Sequence, residues 1–325
     1  MSILFFAFLK FINFNVLTLD KNSLQKATCR YSFSKNILPK WVDVNKGQQY
    51  HPSYNVAPGQ YTPVLVKESV TSATKKETED LLICPMRWGL VPSWHRGSLE
   101  DFSLKTTNCR LESICDKPTY RGPLQAGRRC VILSDGYFEW KLTGNGKKQP
   151  YFIYFPQEKS LDMSNRNWEN DPDNLWTEAD GWKGPRLLTM AGIFDIWKSA
   201  EHGDLYSYSV ITMDSSKTVS SIHSRMPAIL DGDDHVKMWL DSGKITHKEA
   251  LNNLELVQNL EFHTVSMEVN NSRNNTISCV LPLSLSKSPA KSSKRTGLTA
   301  WLIPNSQTNS PSPEKKRMKV ETGDN

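Results

Sequence analysis

Short runs of β-branched and aromatic residues, bounded by turn residues, constrain the fold of this chain more than any other feature. Five such runs predict strands: RRCVILSDGYFEW, QPYFIYF, RLLTMAGIFDIW, LYSYSVITM and LEFHTVS. Two helical patterns, DDHVKMWLDSG and THKEALNNLEL, follow one another rather than alternating with strands, which argues against a doubly wound parallel sheet. In the second, Thr246 and Glu249 form a capping-box pattern. We therefore expect an α+β domain with a curved, largely antiparallel β core flanked by short helices.

Composition divides the chain into three regions. Residues 1–22 are an atypical apolar leader, and residues 23–283 carry the mixed patterning of a packed domain. Residues 284–325 are rich in Ser, Pro, Lys and Thr and bury too little apolar surface to offset the entropy of ordering, so we expect a disordered basic tail. Within the domain, the polar segment 156–186 predicts a long insertion loop.

The net charge of +6 belongs mostly to the tail, where eight basic residues face three acidic ones. The body is nearly neutral, so any binding of DNA by the domain needs a local patch. Six scattered cysteines without a CxxC pair predict reduced thiols and no zinc site. The chain has no P-loop, dinucleotide fingerprint, HExxH or GxSxG motif, and we expect neither a cofactor nor a metal.

The leader MSILFFAFLKFINFNVL is interrupted by Lys10, is short for a membrane span, and has no small-residue cleavage site after it. We therefore expect no membrane partner. An alternative transcript or a mistaken gene model explains this leader better than a signal peptide does.

Polar residues recur where predicted strands meet turns, the usual place for functional groups on a rigid scaffold. The motifs are PSYNVAPGQ (52–60), MRWGLVPSW (86–94), TTNCR (106–110), DGYFEW (135–140), SSIHSRMP (220–227) and VNNSRNN (269–275).

Glu139 and His223 are the candidate acid and imidazole. Glu139 could be the solvent-facing position of an alternating strand; if Phe138 and Trp140 border a cleft instead, desolvation suits its carboxyl to proton transfer. His223 alone would favour a structural role, but it lies two residues before Arg225, and alternate strand residues share a face.

Asn108 and Arg110 have the same spacing, so two similar pairs are predicted to flank one groove, with arginine suited to phosphate. Trp88 and Trp94 are either core residues or a stacking platform for unpaired bases. Six basic residues around TTNCR predict the local patch that the body needs: Lys105, Arg110, Lys117, Arg121, Arg128 and Arg129.

These motifs, together with GRRCVILSDGYFEW, MAGIFDIW, IHSRMPAIL and NNSRNN, resemble the SOS response-associated peptidase (SRAP) family from about Leu24 to Leu283. The resemblance implies an enzyme that shields abasic sites in single-stranded DNA through a thiazolidine crosslink from an N-terminal cysteine, with lyase and self-processing peptidase activities.

The resemblance also implies a role for each site residue. Glu139 would be the general acid/base and His223 would stabilise the opened sugar. Asn108 would orient the reacting groups. Arg110 and Arg225 would hold flanking phosphates, and Trp88 would line the path of the strand.

The start of the chain departs from the family, which begins Met-Cys-Gly-Arg where this sequence reads Met1-Ser2-Ile3-Leu4. A serine hydroxyl is a much poorer nucleophile than a thiolate, and the internal Cys29 has no free α-amine. For this form we therefore expect non-covalent binding of DNA without the thiazolidine ring.

The tail carries two further predictions. SPEKKRMK (312–319) is typical of a nuclear-localisation cluster, which predicts a nuclear protein. KRTGLTAWLIP (294–304) either docks on a partner, a replication sliding clamp by family analogy, or is an isolated apolar stretch.

Two other functions stay open at this point. The first is a non-enzymatic reader of modified (5-hydroxymethylcytosine) or single-stranded DNA. The second is a peptidase acting on other proteins, which has little support because no cysteine lies in a recognisable catalytic motif.

Overall fold

The structure is a computed structural model that describes residues 15–34, 37–71, 80–170, 172–199 and 203–286. Its strands are β1 (Asn15–Leu17), β2 (Lys40–Trp41), β3 (Ser53–Val56), β4 (Tyr61–Lys67), β5 (Leu81–Trp88), β6 (Asn108–Arg110), β7 (Arg129–Ser134), β8 (Gly136–Leu142), β9 (Lys148–Tyr154), β10 (Trp176–Thr177), β11 (Gly181–Trp182), β12 (Leu188–Ser199), β13 (Gly203–Asp214), β14 (Arg225–Pro227) and β15 (Glu261–Thr264). Its α-helices are α1 (Lys21–Thr28), α2 (Pro118–Gln125), α3 (Asp233–Leu240), α4 (His247–Asn252) and α5 (Leu283–Ser286).

The larger sheet runs in the order β14-β13-β12-β7-β4-β5-β2 and closes on itself where β5 also pairs with β13. Most of its pairings are antiparallel, and the parallel ones join β5 and β6 to β13 and β2 to β5. Side chains alternate across each strand, and consecutive residues of β4 and β7 all belong to the main hydrophobic core, so both faces of these strands are apolar and buried. The predicted α+β class with a curved, largely antiparallel sheet is confirmed.

The second sheet has the order β15-β9-β8-β1-β3, and its pairings are antiparallel. One face contributes Tyr137 and Ile153 to the main core, and the other contributes Phe138 and Phe152 to a second hydrophobic cluster. β8 thus lies between the two clusters, which fixes the direction of every side chain along it.

The two predicted helices are present as α3 and α4. In α4 the hydroxyl of Thr246 accepts from the backbone N–H of Glu249, whose carboxylate accepts from the N–H of Thr246, so the capping box is complete. The helices α1 and α2 were missed. α1 starts at an Asp20 cap inside the region taken for the leader, and α2 contains Pro123, a residue that argues against a helix.

The predicted leader over residues 1–22 contributes its last part to the domain. Val16 and Leu17 are fully buried in β1, between β3 and β8, and α1 begins at Lys21. Residues 1–14 lie outside the described residues, as do the two tail segments 294–304 and 312–319.

The segment 156–186 is more structured than the predicted loop. It contains 3₁₀ turns at Asn167–Asn170 and Pro172–Leu175 and the ribbon of β10 and β11. Its Met163, Trp168 and Leu175 help to build the second hydrophobic cluster. Among the described residues, none of the helices has the length and apolar character needed to cross a membrane.

Candidate functional site

A cleft of about 630 Å³ opens between β8 of the second sheet and the β5, β6 and β14 ends of the closed sheet. All six residues predicted from the sequence line it: Trp88, Asn108, Arg110, Glu139, His223 and Arg225. The predicted convergence of an amide, an acid and an imidazole is therefore present. The chemical roles assigned to them stay predictions.

Glu139 lies midway along β8 and is only 7% exposed. Its Oε1 accepts a hydrogen bond from the backbone N–H of Trp140 at 3.2 Å. The condition considered for Glu139 is not met, because neither Phe138 nor Trp140 is among the residues that line the cleft. They point to the opposite face of β8, where Phe138 is buried in the second cluster and Trp140 packs against it. The closed sheet itself encloses the carboxyl.

His223 precedes β14 in a turn and brings its Nδ1 to 3.8 Å from the Oε2 of Glu139. The same nitrogen lies 3.2 Å from the backbone N of Arg225 and 3.3 Å from its carbonyl oxygen. These contacts hold the ring plane beside the carboxyl. An acid and an imidazole at this separation can share or relay a proton after a small movement of either side chain.

Asn108 and Arg110 lie on β6, opposite Val210 and Thr212 of β13. The carbonyl of Asn108 accepts from the Tyr120 hydroxyl at 3.4 Å, while its side-chain amide has no hydrogen-bond partner among the described residues. The Arg110 side chain is exposed and has no hydrogen bond or ion pair within the described ranges, although its charge helps to lower the pKa of Glu112. Both groups are therefore available to a ligand.

Arg225 reaches the cleft with its charge already compensated. Its guanidinium forms ion pairs with Glu112 and with Asp214, the latter at 2.9 Å, and donates to the carbonyl oxygen of Thr212 at 2.7 Å. Burial lowers the pKa of Arg225, but the two carboxylates outweigh this and raise it overall. A phosphate here has to compete with Glu112 and Asp214.

The two tryptophans of the MRWGLVPSW motif differ. Trp88 is 1% exposed and packs in the main core, and its indole N–H donates to the carbonyl oxygen of Thr107 at 3.0 Å. Of the two alternatives for Trp88, the structure shows the core position, from which it supports the cleft wall. Trp94 is 48% exposed, so its ring face is accessible.

Sequence reasoning missed Arg87, which lies next to Trp88 at the end of β5 and lines the same cleft. It is half-buried, and its Nη1 donates to the carbonyl oxygen of Gly89 at 2.9 Å. The sequence feature that could have identified Arg87 is that it is the single charged residue in the apolar run LLICPMRW.

The predicted basic patch does not form as one surface. Lys105 and Arg110 line the cleft, but Arg128 pairs with Asp195, and Arg129 is 1% exposed and donates to the carbonyl oxygen of Ile245. Arg129 therefore stabilises the interior. Fewer basic residues contribute to the cleft than the six that the sequence places around TTNCR.

The motifs PSYNVAPGQ and VNNSRNN hold each other in place. The Asn55 side-chain amide donates to the carbonyl oxygens of Val269, Asn271 and Asn274, each at 3.1 Å, and Asn275 Oδ1 accepts from the N–H of Tyr54 at 2.7 Å. These asparagines do not line the cleft and fasten a loop to β3.

No cysteine is among the described residues that line the cleft. Burial raises the pKa of Cys109, the cysteine between Asn108 and Arg110, to about 12, which makes it a poor nucleophile. Within the described ranges, His, Cys, Asp and Glu form no group of three suited to a metal ion. The described residues of the cleft can support proton transfer and binding of anions.

Fold and cleft together define a class: α+β proteins with a closed sheet, a second sheet, and an amide, an acid and an imidazole facing one another beside guanidinium groups. The profile of the SOS response associated peptidase (SRAP) family matches residues 16–272. This chain belongs to that family.

Named relatives agree with this assignment. The chain is 44% identical over 293 residues to the abasic site processing protein HMCES of Rattus norvegicus, covering 87% of this chain and 80% of that protein. It is 47% identical over 251 residues to HMCES of Pongo abelii, covering 76% and 69%. It is 30% identical over 231 residues to the abasic site processing protein YoaM of Bacillus subtilis, covering 70% and 84%.

Solved structures show the same fold. A crystal structure of a protein from Bacteroides thetaiotaomicron superposes with a TM-score of 0.60 at 22% identity, covering 83% of this chain and 99% of that one. A protein from Bordetella bronchiseptica superposes with a TM-score of 0.54 at 16% identity, covering 79% and 100%.

Proposed function

We propose that this protein binds single-stranded DNA at abasic sites and processes the exposed deoxyribose in the cleft. The observation that carries the proposal is the meeting of Asn108, Glu139 and His223 in one cleft beside three guanidinium groups. The relatives named abasic site processing proteins support it.

The geometry suits the chemistry of an abasic sugar. Opening of the cyclic hemiacetal to the aldehyde moves one proton from the C1′ hydroxyl to the ring oxygen. Glu139, as a carboxylate, would accept that proton, and His223, at 3.8 Å, would donate one to the ring oxygen. The side-chain amide of Asn108 would orient the carbonyl so formed.

The shape and charge of the cleft favour a strand without a partner. An abasic nucleotide has no base to stack or pair, so drawing its sugar into a cleft costs less than extruding an intact nucleotide. The exposed guanidinium of Arg110 would bind a neighbouring phosphate.

The test compares binding of fluorescent single-stranded oligonucleotides by anisotropy. One contains a tetrahydrofuran abasic analogue, one is intact, and one contains 5-hydroxymethylcytosine. We expect the abasic oligonucleotide to bind best, and Asn108→Ala to reduce that preference about tenfold. Thr143→Ala, in the turn after β8 and outside the cleft, is the matched control and should bind as the wild type does.

Equal affinity for all three oligonucleotides would contradict the abasic-site proposal. Preference for the 5-hydroxymethylcytosine strand would instead support a reader of modified DNA.

Activity is tested with a natural abasic site. Glu139→Gln keeps the size of the side chain and removes its ionisation. We therefore expect binding to persist while opening of the sugar ring slows at least a hundredfold. Borohydride trapping or aldehyde labelling measures the opened form. Unchanged rates in Glu139→Gln would exclude a role for this carboxyl in ring opening.

For the chain with Ser2, we propose binding without a covalent bond. A denaturing gel after incubation with an abasic oligonucleotide should show no retarded band. A denaturant-resistant adduct would overturn this part of the proposal and leave the binding function standing.

The proposals for the tail are independent of the cleft. A nuclear location depends on Lys315, Lys316 and Arg317, and replacing all three with glutamine should abolish nuclear accumulation of a fluorescent fusion. A sliding clamp as partner depends on Trp301 and Leu302, and Trp301→Ala should abolish co-purification with it. Unchanged nuclear accumulation would exclude the nuclear-localisation cluster, and unchanged co-purification would exclude the clamp-binding segment.

A further inference from the structure

Arg87 differs from the other partly or fully buried arginines in the described part of the chain. Four of those pair with carboxylates: Arg128, Arg166, Arg186 and Arg225. The fifth, Arg129, donates to main-chain carbonyl oxygens. Arg87 has a single acceptor, the carbonyl oxygen of Gly89, and no carboxylate partner among the described residues. A half-buried cation with unused donors is costly in a protein that offers it no anion.

Two glycines leave the space beside this guanidinium open. Gly59 and Gly89 both have positive φ, at +90° and +113°, which side-chain-bearing residues rarely adopt. A Cβ at Gly89 would lie 3.2 Å from Arg87 Nη1, and one at Gly59 would lie 3.8 Å from Nη2. The backbone is therefore shaped so that a ligand can approach the free edge of the guanidinium. Burial also lowers the pKa of Arg87, an effect that a bound anion would reverse.

The strand register places Arg87 and Arg110 on either side of Asn108. Along β13, Arg87 lies opposite Ser207, Asn108 opposite Val210 and Arg110 opposite Thr212. At about 3.3 Å per residue, the backbones of the two arginines are about 17 Å apart along this strand. Along the axis of β13, the Asn108 amide thus lies between two cations, and all three residues line the cleft.

We propose that Arg87 binds the backbone phosphate on the side of the lesion remote from Arg110. The two guanidinium groups then hold phosphates on both sides of the sugar, so the preferred ligand is an abasic site inside a strand rather than at its end. This inference rests on the proposed function and adds a second phosphate subsite to it.

The experiment combines three variants with three oligonucleotides. Each oligonucleotide carries the tetrahydrofuran analogue: one internally, one with the strand ending just 5′ of it, and one ending just 3′ of it. Arg87→Gln and Arg110→Gln are compared with Lys248→Gln, a matched loss of charge on α4 outside the cleft.

For the internal lesion we expect Arg87→Gln and Arg110→Gln each to weaken binding about five- to tenfold and to lower the salt slope by about 0.7, one phosphate on a single strand. With one of the two shortened oligonucleotides, Arg87→Gln should bind as the wild type does, while Arg110→Gln should still weaken binding. With the other shortened oligonucleotide, the two variants should exchange these results. Lys248→Gln should bind as the wild type does.

Two outcomes would overturn the inference: an Arg87→Gln variant with wild-type affinity and salt slope, or loss of both effects on the same shortened strand. Arg87→Lys keeps the charge and should keep the salt slope, which separates a binding role from a folding defect. Failure of the wild type to bind the internal lesion would instead contradict the proposed function.

Discussion

Arg225 lines the cleft, but its guanidinium is held by ion pairs with two carboxylates. Glu112 and Asp214 compensate its guanidinium, while Arg110 on the neighbouring β6 stays open to solvent. The Arg225 ion pair also lowers the pKa of Glu112, so this carboxylate stays charged over the whole physiological range. The free positive charge at this end of the cleft is therefore smaller than the arginine count suggests.

Removing Glu112 should therefore strengthen binding of DNA. Glu112→Gln frees one side of the Arg225 guanidinium for a phosphate, and we expect tighter binding of single-stranded DNA with a salt slope steeper by about 0.7. Asp116→Asn, the same loss of charge on an exposed residue outside the cleft, is the control. Equal changes in both variants would indicate a general effect of net charge.

His263 predicts a pH dependence of stability. Its ring is in contact with the Tyr154 hydroxyl at 3.2 Å and the carbonyl oxygen of Val280 at 2.7 Å, and burial lowers its pKa below the usual value despite that carbonyl and Asp162. The unfolded chain takes up a proton below about pH 6.5, whereas the folded chain resists it. Stability is therefore full above that pH and falls as the pH drops toward the folded pKa.

Urea unfolding between pH 8 and pH 5 measures this effect. In His263→Gln, which keeps a donor for Val280, the loss of stability toward pH 5 should be smaller than in the wild type. His51→Gln, at an exposed position, should retain the wild-type slope. Identical slopes for wild type and His263→Gln would exclude His263 as the source.

The sequence predicted Asn108, Glu139 and His223 because each is a polar residue in a recognisable motif, although Glu139 lies midway along β8 and not at a strand end. It could not predict the partners of those residues. Whether Arg225 is free, whether Trp88 is accessible and whether Arg129 lies on the surface depend on side chains from distant segments, such as Glu112, Thr107 and Ile245.

The β7–β8 turn positions the candidate acid. Gly136 lies at the start of β8, three residues before Glu139, and a Cβ there would lie 2.5 Å from the carbonyl oxygen of Ile153 and 2.6 Å from the Phe152 ring. Only a glycine lets β8 approach β9 this closely. The approach fixes both the register of the hairpin and the height of Glu139 in the cleft.

Gly136→Ala should destabilise the fold by about 2–3 kcal/mol, because the backbone carbonyl cannot move without breaking the β8–β9 pairing. Gly144→Ala in the turn of the same hairpin has nothing within 4 Å of the new Cβ and should change stability by less than about 0.5 kcal/mol. Thermal or urea unfolding gives both values. A mild effect at Gly136 would mean that β8 and β9 can separate slightly without loss of pairing.

Elements with strong local patterns were predictable, and short elements held by tertiary contacts were not. The five strand runs and the capped α4 follow from alternation and capping. β6 has three residues and exists because it pairs with β13, and β1 was hidden in an apolar run that resembled a leader. Closure of the larger sheet depends on the β5–β13 contact, which no local pattern encodes.

The segment 156–186 is anchored to the rest of the molecule through Arg166. This fully buried residue, with φ of 49°, pairs with Asp135 at 2.6 Å and Glu169 at 2.5 Å and donates to the Thr18 hydroxyl at 2.6 Å. Glu169 in turn accepts from the Tyr54 hydroxyl at 2.6 Å. One guanidinium thus joins the insertion to the ends of β1 and β7 and, through Glu169, to β3.

Arg166→Met should reduce the free energy of unfolding by about 3–5 kcal/mol, because it leaves the buried carboxylate of Asp135 without its cation. Lys183→Met, which removes an exposed ion pair with Asp180 in the same segment, should leave the free energy of unfolding close to that of the wild type. If both variants unfold alike, the insertion is an independent appendage and contributes nothing to the stability of the second sheet.

The cleft draws its groups from β5, β6, β8 and β14, which span the chain from Arg87 to Arg225. During synthesis, a nascent chain that has not yet reached His223 carries the acid without its imidazole. Affinity for DNA should therefore emerge late and in a single step. Binding of DNA would then be a direct reporter of complete folding.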